Sequence, residues 1–441
     1  MNSDFITRLR NRKNLIVIAG NSAWLLGDKV LRVALGFIVS AVIARHLGPA
    51  SFGILSTVFA YVLLLASLAT LSLDGLVVRE LVKSEKGKDS ILGTAFFVKG
   101  GSGVITFILG NSLVYLSGFD FDAFSLLIAV ALGSILFQAI DVIDFHFQSQ
   151  LNGRAIALAR SSSFIVVSGV KLVFVFAGAP LIYFAATPTI EAAIAAAFLA
   201  IVYTRYGGSL HAWRFEKTKA INLLKVGLPI AVSGFFVVAI MQIDKLMLGK
   251  ISGAESVGIY SAASLVSTTW YMVPVVVGAS VAPTLTRLYD LNLSDFTNKL
   301  QDVFSAVTFI SLCVGIITTL VSGPLINLIF GETYSAASLV LTIHIWTGVF
   351  ISHVSIRTRA LLIEGHMNTI LLLSGLTLLI NVMLNMVLIR TYAEAGAATA
   401  SLLSWALCAL FFPLAFNRSR RYPLMLLRSS SPSVWIRAMV K

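Results

Sequence analysis

Apolar residues along this chain fall in long unbroken runs separated by short polar connections, without the spacing of an amphipathic surface helix or strand. The stretch "ILSTVFAYVLLLASLATLSL" (Ile54–Leu73) carries no charge. As a helix it extends about 30 Å, the depth of a bilayer's hydrocarbon core. Twelve runs of this kind are predicted to be helices, over 16–44, 52–78, 90–117, 123–148, 155–179, 181–206, 224–250, 256–286, 299–322, 336–361, 367–390 and 395–416. Pro188, Pro229 and Pro274 fall inside runs, which is tolerable where neighbouring helices satisfy the freed backbone. A transmembrane β-barrel is excluded, because its strands alternate apolar and polar positions over about ten residues. The predicted class is an all-α integral membrane protein.

Composition supports this pattern. A chain that is 57% hydrophobic and 12% charged, with mean hydropathy +0.90, has too little polar surface to coat a water-soluble globule. Charge then sets the orientation. Of the 33 Lys and Arg, 25 lie on the side that holds both termini, and three (Arg45, Lys250 and Arg390) lie on the other. That asymmetry predicts cytoplasmic termini, and the net charge of +13 is mostly a topology signal. The basic residues are dispersed over separate loops, so no nucleic-acid partner is expected. The basic start "MNSDFITRLRNRKN" precedes a run interrupted by Asp28, Lys29 and Arg32, which fits an uncleaved first span better than a signal peptide. Cys313 and Cys408 both sit in apolar runs, so packing is their expected role.

The longest connection, "GGSLHAWRFEKTKAINLLK" (Gly207–Lys225), mixes Trp213, Phe215 and Ile221 with Arg214, Lys217 and Lys219. It suits a cytoplasmic interfacial linker, a solvated loop being the alternative. It divides the chain into a six-helix bundle over 1–206, the linker over 207–225, a second six-helix bundle over 226–416, and a basic cytoplasmic tail over 417–441. The outer turn after the first helix of each half reads alike: "RHLGPASFGIL" from Arg45 and "KISGAESVGIY" from Lys250. Gly48 matches Gly253 and Gly53 matches Gly258, each 205 residues apart. Both turns lie on the same side, so the halves are expected to be parallel repeats, a plan used by secondary transporters.

Several stretches together resemble the polysaccharide-unit and O-antigen flippases. They are "ARHLGPASFGILS" in the first outer turn, "APTLTRLYDLNLSDF" (Ala282–Phe296) after the eighth helix, "LIFGETYSAAS" before the tenth, and "NVMLNMVLIRTYAEAGAATASLLS" (Asn381–Ser404) in the eleventh and the turn after it. The resemblance covers nearly the whole chain. It implies membership of the multidrug/oligosaccharidyl-lipid/polysaccharide exporter superfamily and its MATE-like fold, two six-helix bundles around a central cavity. The departure is "TYAEAGAA", where the family more often has a glycine-containing turn in place of Ala393–Ala395.

Charges at membrane depth are the candidate functional residues, since an ionised side chain there is usually paired or faces a wet cavity. Lys29 and Arg32 lie roughly 20–25 Å into the first helix, Lys99 about 15 Å into the third and Lys171 about 24 Å along the fifth. A cavity lined by these four cations would receive the pyrophosphate of a polyprenyl carrier. Each also has a structural alternative. Asp28 and Arg32, four apart, can pair on one helix face, while Lys99 and Lys171 can snorkel. Glu191, three residues after Pro188, is the stronger candidate for coupling to H+ or Na+, with Asp28 beside it. Asp141 and Asp144 are expected to neutralise Arg154 or Arg160, and Asp244 to pair locally with Lys245. Asn381 and Asn385, one turn apart, are expected to join helices. His344 and His353 read first as satisfied hydrogen-bonding residues.

The function these features predict is a flippase that moves an undecaprenyl-pyrophosphate-linked oligosaccharide (an O-antigen, capsule or exopolysaccharide unit) across a bacterial inner membrane by alternating access. Polysaccharide assembly proteins are expected partners. No catalytic residue, cofactor or metal is predicted. A multidrug or organic-cation exporter is the alternative transporter, although it would need acidic and aromatic lining. A membrane polysaccharide polymerase or ligase would need an outer acid–base constellation, and the predicted outer turns are short. No GxxxxGK[ST] motif occurs, so direct ATP drive has no support.

Overall fold

The structure is a computed structural model that describes residues 3–83, 87–116 and 124–429, with side chains from residue 20 onward except at 21, 22, 275 and 279. The side chains of the basic N-terminal segment, and residues 430–441 of the expected basic tail, therefore lie outside the described residues. The described elements are all helical: α1 (Ser3–Ala69), α2 (Asp74–Lys83), α3 (Lys88–Leu116), α4 (Phe124–Leu132), α5 (Ser134–Phe137), α6 (Val142–Ser149), α7 (Gly153–Phe176), α8 (Leu181–Arg205), α9 (Lys217–Ile251), α10 (Ala254–Leu291), α11 (Leu293–Phe330), α12 (Ala337–Ile363), α13 (Met367–Leu410) and α14 (Arg421–Ser429), with short 3-10 turns between some of them.

Ten helical stretches among the described residues are long and apolar enough to cross a membrane. Two of these, Ala23–Lys83 with 61 residues and Met367–Ala415 with 49, would measure about 90 and 75 Å if straight, far more than one crossing needs. Both break near the middle, at Gly48 (φ 72°, ψ 169°) and at Ala393 (φ 46°, ψ −123°), and the first breaks again between α1 and α2, where Leu71 and Ser72 have positive φ. The twelve predicted helices are thus all present.

The breaks at Gly48 and Ala393 fall at turns singled out in the sequence. Gly48 and its counterpart Gly253 (φ 89°, ψ 175°) share a left-handed backbone that suits a residue without Cβ. Ala393 holds a positive φ despite its methyl group, at the position where the family more often has a glycine-containing turn. The other repeated glycines pack against the opposite turn. A Cβ on Gly53 would overlap the carbonyl oxygen of Ala254, and a Cβ on Gly258 would overlap that of Pro49.

By contacts, the chain separates into two compact units. The first comprises residues 1–43 and 61–235, the second residues 44–60 and 236–441. In the first, Leu73 and Val77 leading into and along α2 pack with Leu92 of α3, Phe147 of α6, Ile156 of α7 and Leu199 of α8. Within residues 207–225, Leu210, Trp213, Leu223 and Leu224 pack on this core, while Arg214, Phe215, Glu216 and Lys217 are exposed. Trp213 lies 5.3 Å from the Phe96 ring and donates to Tyr203 Oη at 3.3 Å. Arg214 N donates to Asp89 O at 3.2 Å, Glu216 N donates to Thr94 Oγ1 at 3.0 Å, and α9 begins at Lys217.

In the second unit, Leu285 of α10, Phe296 and Phe304 of α11, Ile356 of α12 and Leu373 of α13 form one core, which Tyr422 and Met425 of α14 cap. Outward-facing apolar residues such as Phe176 (86% exposed) and Leu320 (78%) would be costly in water and suit lipid.

The fourth predicted helix is not continuous. It runs as α4, α5, a 3-10 turn over Gln138–Asp141, and α6. Backbone carbonyls freed inside a membrane need partners. Thr189 Oγ1 of α8 donates to Val130 O at 2.5 Å, and Ser134 Oγ donates to Ala131 O at 2.8 Å. The break re-aims the chain so that Asp141 and Asp144 face inward together.

Candidate functional site

The first unit holds two clusters of intramembrane charge, both built partly on α7. In the first, Asp28 and Arg32 lie on one face of α1, yet each bonds a different helix. Asp28 Oδ1 accepts from Ser161 Oγ of α7 at 2.6 Å. Arg32 Nη2 donates to Glu191 Oε1 of α8 at 3.2 Å. The i,i+4 pairing of Asp28 with Arg32 is therefore replaced by two interhelical contacts. Phe164, one turn beyond Ser161, offers its ring to two cations. Arg32 Cζ lies 5.1 Å and Lys171 Nζ 6.0 Å from the ring centroid, within cation–π range. Glu191 and Arg32 are the charged neighbours of Lys171. Lys29 is exposed and has no partner among the described residues. A cavity of about 470 Å³, lined by Trp24, Gly27, Asp28 and Leu31 of α1 with Leu158 and Ser161 of α7, opens beside them.

This cluster is half-buried and carries an excess of cations. Arg32 and Glu191 keep 30% and 21% of their side-chain surface accessible. Lys29, Arg32 and Lys171 outnumber Asp28 and Glu191. A guanidinium beside an ammonium over an aromatic face suits a phosphate oxyanion, through charge-assisted hydrogen bonds.

Lys99 does not join that set. Its Nζ lies 3.8 Å from Asp141 Oδ2 and 4.9 Å over the Phe145 ring, with 3% of the side chain exposed. Arg160 of α7 completes a closed quartet. It contacts Asp141 Oδ1 at 2.6 Å, donates from Nε to Asp144 Oδ2 at 2.9 Å, and bonds the same oxygen through Nη2. Two cations meet two carboxylates and balance. The lumen expected to hold Lys29, Arg32, Lys99 and Lys171 together is thus divided, with Lys99 in a neutral buried pair. The expected partnership of Asp141 and Asp144 with Arg160 is the one that forms.

The second unit carries a third polar cluster, which departs from the expected Asp244–Lys245 pair. Buried Asp244 accepts from neutral donors on two neighbouring helices. Tyr260 Oη of α10 donates to it at 2.8 Å and Asn385 Nδ2 of α13 at 2.6 Å, while Ser401 Oγ, also of α13, bonds the same carboxylate. Asn385 also donates to Asn381 Oδ1 at 3.2 Å, and Asn381 to Ser404 Oγ at 3.3 Å. The two asparagines join helical segments, as their spacing predicts. Tyr260 and Ser401 gave no sequence signal, because single hydroxyls in apolar runs form no pattern. His344 Nδ1 sits 2.6 Å from Ser267 Oγ, and His353 Nε2 2.8 Å from Thr308 Oγ1. Both imidazoles are satisfied packing residues. Among the described residues no group of three His, Cys, Asp or Glu comes together as metal ligands.

Known proteins are similar to this chain in sequence and in fold. A family model described as polysaccharide biosynthesis protein matches residues 18–289, and one described as MatE matches residues 229–387. A protein of Shigella flexneri described as an O-antigen transporter is 24% identical over 333 residues, covering 73% of this chain and 78% of its own length. An inward-facing multidrug resistance MATE family transporter of the MOP superfamily superposes with TM-score 0.69 at 17% identity, covering 92% of this chain and 96% of its own. The lipid II flippase MurJ in an inward closed conformation superposes with TM-score 0.68 at 14% identity, covering 94% and 90%. The fold is the all-α MATE-like fold.

Proposed function

We propose, from the premise that the chain belongs to the polysaccharide biosynthesis protein family, that it flips a lipid-linked oligosaccharide across a bacterial inner membrane, both termini cytoplasmic. It carries its substrate and does not transform it. One observation carries this reading: Arg32 and Lys171 both stand over the Phe164 ring, and Glu191 is a charged neighbour of both. Among the proteins it is similar to, one is described as an O-antigen transporter and one as a lipid II flippase, and the cation excess supplies what a linking diphosphate needs. The carrier is undecaprenyl, the glycan an O-antigen, capsule or exopolysaccharide unit, and polysaccharide assembly proteins receive the product.

The geometry also suggests how an ion is coupled. A diphosphate that takes Arg32 leaves Glu191 without its counter-charge. The carboxylate then balances by binding H+ or Na+, and gives the ion up when Arg32 returns. Alternating access would move the site between leaflets.

The test is leaflet distribution of lipid-linked oligosaccharide in cells carrying Lys171→Ala or Arg32→Ala. A charge-assisted hydrogen bond contributes about 1.5–3 kcal/mol, so each variant should slow flipping roughly ten- to a hundredfold, with unflipped substrate accumulating. Glu191→Gln should uncouple flipping from the ion gradient. Normal surface polysaccharide in both cation variants would remove the anion site from the mechanism. Loss of organic-cation efflux instead would favour the exporter, which the MATE likeness keeps as the second reading.

A further inference from the structure

A second cationic pocket lies apart from these clusters, at the end of the first unit where α2 stops and α3 and α9 start. A cavity of about 360 Å³ there is lined by Arg79 and Lys83 of α2 and Lys219 of α9, with Glu80 as its acidic member. Arg79 and Lys83, four residues apart, share one helix face. Lys83 lies 3.6 Å from Glu80. Lys219 is held in place by Glu216 at 2.7 Å and by a hydrogen bond it donates to Ser90 Oγ at 3.0 Å. The Arg79 guanidinium has no partner among the described residues. With Glu80 and Glu216 counted against Arg79, Lys83 and Lys219, the group carries one more positive charge than negative, and Lys219 is pre-positioned by its contact with Ser90 of α3.

The rest of the pocket is apolar. Leu76, Ile91 and Leu223 form its walls, and Val82 (65% exposed), Val226 and Leu228 stand outward around it. A free phosphate ion needs no such rim, whereas a lipid brings an anionic head and an apolar body together. The volume admits a phosphoglycerol headgroup and excludes an oligosaccharide of several sugar rings. The basic-residue distribution places this end at the cytoplasmic leaflet, where anionic lipids attract basic clusters.

We propose that this pocket binds the phosphodiester headgroup of an anionic glycerophospholipid. The phosphate sits between Arg79, Lys83 and Lys219, the Asn222 amide meets the glycerol hydroxyls, and the acyl chains run along Leu223 and Val226. The lipid joins α2 to α9 at the point where the linker enters the membrane.

Native mass spectrometry of the full chain in neutral detergent tests this, with phosphatidylglycerol and phosphatidylcholine as probes. The wild type should retain phosphatidylglycerol in preference to phosphatidylcholine. A basic residue near an anionic headgroup contributes about 1 kcal/mol, a factor of about five. The double variant Arg79→Gln, Lys83→Gln should therefore weaken phosphatidylglycerol about 25-fold and leave phosphatidylcholine unchanged. Glu80→Gln should tighten phosphatidylglycerol about fivefold, a gain that misfolding cannot imitate. Equal retention of the two lipids by the wild type would overturn the proposal, as would unchanged phosphatidylglycerol affinity in the double variant and in Glu80→Gln. Inorganic phosphate that displaces phosphatidylglycerol at equal concentration would reassign the pocket to small anions.

Discussion

The two charge clusters of the first unit share α7 and differ in their balance of charge. Around Lys99 two cations meet two carboxylates, with Lys99 and Asp144 buried while Asp141 and Arg160 keep 25% of their side-chain surface accessible. Around Arg32 one carboxylate faces two cations over a shared ring, and the group stays half-open. The difference comes from the partner helices. The broken fourth helix delivers two carboxylates, Asp141 at the end of its 3-10 turn and Asp144 in α6, whereas α8 delivers Glu191 alone. An intramembrane cation is thus informative only once the carboxylates within its reach are counted. Position along the helix marks both Lys99 and Arg32 as intramembrane; local charge balance separates them.

The largest expected effect falls on the Lys99 cluster. Asp144→Ala removes its buried carboxylate and leaves Arg160 with Asp141 alone, and breaking a buried pair typically costs about 3–5 kcal/mol. Thermal unfolding in detergent should show a fall of several degrees. Arg32→Ala, by contrast, should keep most of the wild-type melting temperature while losing transport, because it removes a charge from a group in which cations are in excess. If Arg32→Ala unfolds the protein and Asp144→Ala only slows transport, the two clusters have been assigned the wrong way round.

A smaller effect is expected at Ala393, whose positive φ strains a residue with Cβ. Ala393→Gly should stabilise by about 1 kcal/mol despite the added freedom of the unfolded chain. A lower melting temperature would show that the turn is held at no cost. The smallest effect belongs to the exposed Glu216. Its carboxyl is held below the usual range by its hydrogen bonds with Lys219 and then Ser90. Being depressed, it contributes above the ordinary glutamate value of about 4.3 and loses that contribution as pH falls further. Between pH 7 and 5 the melting temperature of Glu216→Gln should track the wild type at a constant offset, with the gap narrowing below pH 4. A gap that widens on acidification would contradict the assignment.

The helices were legible because lipid demands unbroken apolar runs, and those runs stand out without any tertiary information. The turn at Gly48 was legible for the same local reason, a glycine followed by proline. The pairing of Asp141 and Asp144 with Arg160 was also within reach, since the residues flank one short inner turn. Partners across helices were not. Asp28 and Arg32 satisfy the rule for pairing on one helix, and only packing shows Ser161 and Glu191 to be nearer. Asp244 stood next to Lys245 in sequence, yet successive residues on a helix point about 100° apart, and the carboxylate turned instead toward hydroxyls and amides from α10 and α13. The break in the fourth helix left no trace in composition, because no proline marks it.

The glycines of the two repeated turns carry a consequence for how the halves could diverge. Each turn presents its backbone where a side chain on the other would go: Gly53 against Ala254, and Gly258 against Pro49. Neither copy can acquire even a methyl group at this position without displacing the other's main chain, and a compensating change in the partner cannot help, because backbone has nothing to remove. Elsewhere, two similar segments are free to differ wherever their backbones do not meet. Here each is the mould of the other, and the likeness of "LGPASFGI" to "SGAESVGI" is held at its glycines by the contact between them.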